Sequence, residues 1–303
     1  MDENYFLISP EIQQALKNKK PIVALESAVI THGLPYPVNY ELANTMEEIV
    51  KSGGGNPATI AIMNGIIKIG MALEEIKALA QTKNPIKVSP RNIAIAVLNG
   101  LCGGTTVAGT LQIAAQAGIC VFATGGIGGV HLHSQFDVSA DLPMLSKTRM
   151  VVVCAGAKAI LDLPATLEVL ETYGVPVIGY QTDEFPAFYS QKSGLGVDYK
   201  ANDVDEIIKL ARIHWECGNN SSILVTVPIP KKFEIQAKTV EAALDFAIRD
   251  ADQAHLHGSE ITPYLLQKMN EYTGGKTLES NLELLKNNAK IATQIAIGFS
   301  KIG

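Results

Sequence analysis

The chain has 303 residues, of which 47% are apolar and 18% charged, with a formal net charge of −5. This composition excludes a disordered chain, and the length allows a large core in one big domain or two small ones. The acidic balance excludes a protein that coats nucleic acid, which carries a basic surface, but leaves room for a local basic pocket for one phosphate.

The opening MDENYFLISPEIQQ is acidic and lacks the apolar region of a secretory signal, and no apolar stretch reaches the length of a membrane span. The expectation is a cytoplasmic protein. The cysteines Cys102, Cys120, Cys154 and Cys217 show no C-x-x-C spacing. They read as free thiols in a reducing compartment, Cys120 and Cys154 inside apolar runs.

Pro21 to Leu25 reads as a buried strand, and Asn39 to Lys51 as a helix with Leu42, Met46, Ile49 and Val50 on one face. Thr59 to Met63 and Ile66 to Ile69 flank Asn64-Gly65, a strong short hairpin signal because both turn residues take positive φ. Ala72 to Ala80 is a predicted helix, as is Thr106 to Ala117. Ile119 to Ala123, Met150 to Cys154, Val175 to Gly179 and Ile223 to Val227 are compact β-rich runs without polar alternation, as expected of strands covered on both faces. Helices at Pro164 to Thr172 and Val204 to His214 fill the gaps, and 233–254, 260–271 and 278–299 form a helical C-terminal region. Strands alternating with helices predict an α/β layered fold, and the hairpin makes the sheet mixed. No linker or repeat divides the chain, which reads as one domain over 1–303.

Ligands in such folds bind beyond the carboxyl ends of strands. Glu26 ends the first apolar strand: a partly desolvated carboxylate with its pKa raised toward acid catalysis, or a structural cap. Lys87, read as lying in a loop, is either a point charge for phosphate or simply solvated. Thr124 to His131 carries glycines at 125, 126, 128 and 129, which free backbone N–H groups toward an anion; the pattern is neither G-x-G-x-x-G nor a P-loop. His131 and His133 lack a third ligand and favour a non-metal role. Asp137 and Asp141 suit a hard cation such as Mg²⁺ or Mn²⁺ that keeps its waters, or a helix cap. Lys158, close after the strand ending at Cys154, is a nucleophile toward a carbonyl or anomeric carbon once it sheds its proton, or a snorkelling lysine.

The blocks ALESAVITHGLPYP (24–37), NPATIAIMNGIIKIG (56–70), FATGGIGGVH (122–131), VCAGAKAILDLPATLE (153–168), GYQTDEFPAFYS (179–190) and TGGKTLESNLELLKNNAKIA (273–292) resemble the pseudouridine-5′-phosphate glycosidase, or indigoidine synthase A-like, family. The resemblance runs from about residue 10 to the C-terminus. It implies a three-layer α/β/α fold with a mixed, mostly parallel sheet, a homotrimer, and cleavage of the carbon–carbon bond between a sugar phosphate and uracil. It further implies Glu26 as proton donor and Lys158 as the lysine that forms a covalent sugar adduct. Lys87, Val107, Ser139, Ala140 and Asp141 match substrate-binding positions, His131 and Asn281 match further active-site positions, and Asp137 matches a manganese ligand. The chain departs from the family pattern at Leu132-His133-Ser134-Gln135, which shortens a loop, and at Ser89-Pro90-Arg91-Asn92. An accessory role in indigoidine synthesis, a sugar or nucleoside kinase, and a binding protein without chemistry are the competing readings.

Overall fold

Apolar runs too short to alternate can be stable only if both faces are covered, and the chain meets that condition by building one broad sheet between helices. The structure is a computed structural model that describes residues 4–132, 137–254 and 261–301. It begins with strand β1 (Phe6–Ile8) and helix α1 (Pro10–Lys17), which has proline in its first turn and Ser9 as cap, Ser9 Oγ accepting the Ile12 N–H at 3.3 Å. Neither element was expected; the three residues of β1 are too few for a period to register, and the eight of α1 make only about two helical turns. Strand β2 (Ile22–Leu25) and helix α2 (Val38–Ser52) follow as predicted.

The hairpin forms as expected. Strands β3 (Asn56–Met63) and β4 (Ile66–Ile69) pair antiparallel, Met63 opposite Ile66, around Asn64 at φ 50° and Gly65 at φ 76°. After α3 (Leu73–Ala80) come three short elements that the sequence did not betray, β5 (Ile86–Val88), α4 (Ile93–Leu98) and β6 (Gly103–Thr105). Lys87 therefore lies on a strand; its expected placement in a loop is corrected.

The remaining elements are α5 (Val107–Gln116), β7 (Val121–Ala123), β8 (Val130–His131), α6 (Asp141–Leu145), β9 (Val151–Cys154), β10 (Leu161–Asp162), α7 (Leu163–Thr172), β11 (Val177–Tyr180), β12 (Tyr199–Ala201), α8 (Val204–Glu216) and β13 (Ile223–Thr226). The C-terminal region is α9 (Ala237–Gln253), α10 (Ile261–Tyr272) and α11 (Lys276–Ser300). Helix α9 starts four residues later than expected because Lys231–Phe233 is a 3-10 turn.

The large sheet runs β1-β4-β3-β2-β7-β9-β13-β11-β12, with β6 also on β3 and β5 on β6. Its pairings are parallel except β3 with β4 and β3 with β6, so the expected mixed, mostly parallel sheet is what forms. Strands β8 and β10 make a separate antiparallel pair. Helix α11 packs across β2, β7 and β9, while α5 covers β2 and β3. Among the described residues, no helix is long and apolar enough to cross a membrane.

The turn at Gly65 is a sensitive point. A Cβ there would stand 2.6 Å from the Val97 carbonyl oxygen, on a backbone already at positive φ. Gly65→Ala is expected to cost at least about 2 kcal/mol from αL strain plus the clash, read as a lower urea midpoint at unchanged slope.

Candidate active site

Three adjacent parallel strands set the site. Leu25 of β2 pairs with Ala123 of β7, which pairs with Val153 of β9. Glu26 and Thr124 follow and leave the sheet side by side at its carboxyl edge, level with Cys154, the last residue of β9, where layered α/β proteins bind ligands. Glu26 is buried, and the Thr124 hydroxyl donates to its Oε1. Burial pushes the Glu26 carboxyl above its ordinary range; the positive charge of Lys158 opposes this most, then the Thr124 hydrogen bond, with Asp141 raising and Lys87 lowering further. A buried acid held beside two cations is poised to carry a proton and to part with it.

Lys158 comes from the turn after β9. Gly156 takes φ 89°, and a Cβ on it would meet the Pro186 carbonyl oxygen at 2.4 Å, so only glycine allows the chain to turn here. The Ala155 N–H donates to the Gly125 carbonyl at 2.8 Å, the Ile127 N–H to Gly156 O at 3.1 Å, and the Lys158 N–H to Ile127 O at 3.1 Å. The two loops are thus zipped together beyond the strands.

Further bonds occupy part of the glycine loop, whose Gly125 and Gly126 line the cavity described below. The N–H groups of Ile127, Gly128 and Val130 already donate to Gly156 O, to Asp141 Oδ2 at 2.7 Å and to Thr166 Oγ1 at 3.0 Å. None of these glycines has positive φ. They are needed for close approach: a Cβ would meet the Phe188 ring at 2.6 Å from Gly126, Ser139 Oγ at 2.2 Å from Gly128 and Thr166 Oγ1 at 2.3 Å from Gly129. Asp141 is a buried brace, its second oxygen accepting the Ala108 N–H of α5 at 2.8 Å. The charge of Asp141 reaches both Glu26 and Lys87.

Lys87 projects from β5. Burial lowers its pKa most, followed by repulsion from Lys158, with Asp141 and Glu26 opposing. The departure at residues 89–92 proves structural. Asn92 Oδ1 accepts the Ser89 N–H at 2.7 Å and its Nδ2 donates to the Lys87 carbonyl at 3.0 Å, so a neutral amide holds the turn beside the lysine. His32 enters from a π-helical turn, Val29–Gly33, with Nδ1 2.6 Å from the Thr31 hydroxyl. Burial and then the Lys87 charge hold its imidazole below the usual histidine range.

All of this opens on one cavity of about 550 Å³. Glu26, Lys87, Lys158 and Asn281 line it, together with His32, Gly125, Gly126 and Phe188, and with Gln267 and Asn270 from α10. Glu26 and the two lysines thus share one space, as expected. Val107, His131, Asp137, Ser139, Ala140 and Asp141 stand outside its wall: Val107 is buried at the start of α5, His131 is half-buried on β8, and Asp137 and Ala140 are exposed. His133, Ser134 and Gln135 lie outside the described residues. Among the described residues, no three His, Cys, Asp or Glu side chains converge as a metal set. These residues therefore build no metal cage, and Asp137 fits an ion only as a single carboxylate toward a largely hydrated cation.

Residue-by-residue reading missed Thr124, His32 and Asn288. Thr124 closes a β-rich run as one of many threonines, and Asn288 lies 164 residues from the peptide it touches. Only the H-G pair after the turn at Thr31 offered a signal for His32.

The chain matches the family described as indigoidine synthase A-like protein over residues 11–298. It is 48% identical to a pseudouridine-5′-phosphate glycosidase of Caldanaerobacter subterraneus, covering 97% of each chain, and 48% identical to that of Escherichia coli K12, covering 97% of this chain and 96% of the relative. An indigoidine synthase A-like protein of Thermotoga maritima superposes with a TM-score of 0.91 at 36% identity, over 99% of this chain and 98% of the other. The prealnumycin C-glycosynthase AlnA, solved with ribulose 5-phosphate, gives a TM-score of 0.91 at 38% identity, over 100% and 99%. A buried acid after β2, lysines on β5 and in the turn after β9, full-length identity near one half and a shared fold lead to one conclusion: the chain belongs to the indigoidine synthase A-like family.

Proposed function

We propose that the chain is an enzyme that cleaves the carbon–carbon glycosidic bond of pseudouridine 5′-phosphate, giving uracil and ribose 5-phosphate. The observation that carries this is the shared cavity of Glu26, Lys158 and Lys87, in a chain nearly half identical to glycosidases of that name. AlnA supports a sugar-phosphate substrate, since that relative is named for C-glycoside synthesis and was solved with a pentulose phosphate.

The leaving group is a carbon, so both ends of the bond need help. The amine of Lys158, once deprotonated, attacks C1′ and displaces the ring oxygen O4′, which takes up a proton as the sugar ring opens; the lone pair of the bound nitrogen then forms the C=N of an imine as the C1′–C5 bond breaks. The electrons of the C1′–C5 bond pass to uracil C5, which takes the proton of Glu26, so no free carbanion develops. Water then hydrolyses the imine, returning the lysine and releasing ribose 5-phosphate. Lys87 faces the 5′-phosphate as a point charge. The carboxamides of Gln267, Asn270 and Asn281 supply donors and acceptors suited to the uracil edge, with Phe188 as an apolar surface beside them. In the remainder of this reading, Val107, His131, Ser139, Ala140 and Asp141 support the substrate side. Asp137 would hold Mn²⁺, which supplies positive charge for phosphate oxygens, and the enzyme works in the cytoplasm as a homotrimer. The kinase alternative loses ground because the glycine loop runs into β8 rather than into a helix.

Uracil release from pseudouridine 5′-phosphate, with Mn²⁺ or with EDTA, is the direct test; no release under either condition overturns the reading. Borohydride added with substrate is expected to leave a sugar-sized mass on the wild type and none on Lys158→Ala, which is also expected to be inactive. Glu26→Gln is expected to bind substrate but to lose about 10²–10⁴-fold in kcat. The wild-type kcat falls as pH rises through the raised pKa of Glu26, because the acid must be protonated to act. Lys87→Met is expected to raise KM about tenfold with a smaller effect on kcat, as for a charge felt in ground and transition states alike.

A further inference from the structure

We infer that Asn288 is a positioning residue for Glu26, acting through Thr124 from the helix that also presents Asn281 to the cavity. The inference rests on the reading of Glu26 as proton donor. Asn288 is fully buried on α11, and its Nδ2 donates to the carbonyl oxygens of Thr124 at 2.9 Å and Gly125 at 3.4 Å. Its Oδ1 has no hydrogen-bond partner, the one such buried side-chain polar atom among the described residues. Turning the amide over would aim that oxygen at two carbonyl oxygens, so the donor must face the strand end.

A side chain needed only to fill this space would be apolar, as Leu284 and Leu285 are one turn earlier, where they pack against Gly125. An orphaned buried acceptor weakens the fold, and such a cost beside a reactive group asks for a functional reason. The reason lies in what Asn288 holds. The Thr124 N–H is tied to the Val153 carbonyl at 3.0 Å, and its C=O is tied to Asn288. With both sides of the residue pinned, its hydroxyl is aimed at Glu26 Oε1. A hydroxyl donating to Oε1 leaves Oε2 to carry the acidic proton, so the chain from Asn288 decides which oxygen delivers it. The charged groups that act on Glu26 are Lys158, Lys87 and Asp141, and none of them touches Asn288 by a hydrogen bond. The Thr124 bond favours the ionised carboxylate, so its loss shifts the titration of Glu26 upward.

The test is the kcat and KM for uracil release as a function of pH in Asn288→Leu, Thr124→Val, Thr124→Ser and the double variant N288L/T124V. Asn288→Leu is expected to lose about tenfold in kcat, with KM within about twofold. Its descending limb on the alkaline side is expected to move to higher pH, as in Thr124→Val. The double variant is expected to be no worse than Thr124→Val alone, because the two act through one bond. Thr124→Ser, which keeps the hydroxyl, is expected to recover most of the activity lost in Thr124→Val. An unmoved limb in Asn288→Leu, or additive losses in the double variant, would mean simple packing and overturn the inference. Should Asn288→Leu fail to fold, the isosteric Asn288→Asp reads the same link: it donates only while its acid is protonated, so its deficit must widen as pH rises, and a pH-independent deficit overturns the inference. An active Glu26→Gln sinks the proton-donor reading itself. An inactive Glu26→Gln with a wild-type profile in Asn288→Leu sinks only the role of Asn288.

Discussion

The burial of Glu26 is the constraint around which the rest of the molecule is arranged. A carboxyl group taken out of water resists ionisation, and the fold tempers that resistance with Lys158, a threonine hydroxyl and Lys87 rather than cancelling it with an ion pair. Such a balance needs several groups held at one spot from distant parts of the chain. Three parallel strands provide it, because β2, β7 and β9 end at the same level and their apolar bodies are buried throughout. All the residues of these three short strands are buried, and the polar Glu26 and Thr124 follow β2 and β7 at once.

Beyond the strands, rigidity comes from backbone bonds. The β7 and β9 loops bond to each other through Ala155, Ile127 and Lys158, and Asp141 braces the glycine loop against α5. The glycines let the Phe188 ring, Ser139 and Thr166 approach this backbone to distances that any side chain would block. Part of the glycine loop is thus a packed wall behind the lysine, while Gly125 and Gly126 line the cavity.

Helix α11 serves two purposes at once. Its middle lies across β2, β7 and β9 with Leu284, Ala289, Ala292 and Ile295 buried. One face of its earlier turns supplies Asn281 and Leu285 to the cavity. Because the same rod covers the sheet and lines the site, a polar residue on its buried face, Asn288, reaches the strand end that carries Thr124. Helix α10 adds Gln267 and Asn270 to the wall, Asn270 Oδ1 accepting the Leu278 N–H of α11 at 3.2 Å.

Local pattern was enough for much of the architecture. The four apolar runs, the helices between them, the Asn64-Gly65 hairpin and the helical C-terminal region are all legible, since each is a periodicity or a turn chemistry spanning a few neighbours. The strands β1, β5 and β6 were not, being three residues long, and that is why Lys87 looked like a loop residue. The residue types at 26, 87 and 158 were visible as candidates, and the family resemblance supplied their roles. The tertiary structure alone decided that they share one cavity, that Asp141 is a brace outside its wall, and that Thr124 bonds Glu26 across 98 residues of chain. Sequence records which groups exist and the period in which they recur; strand order and helix docking, set by burial over the whole molecule, choose which of them meet.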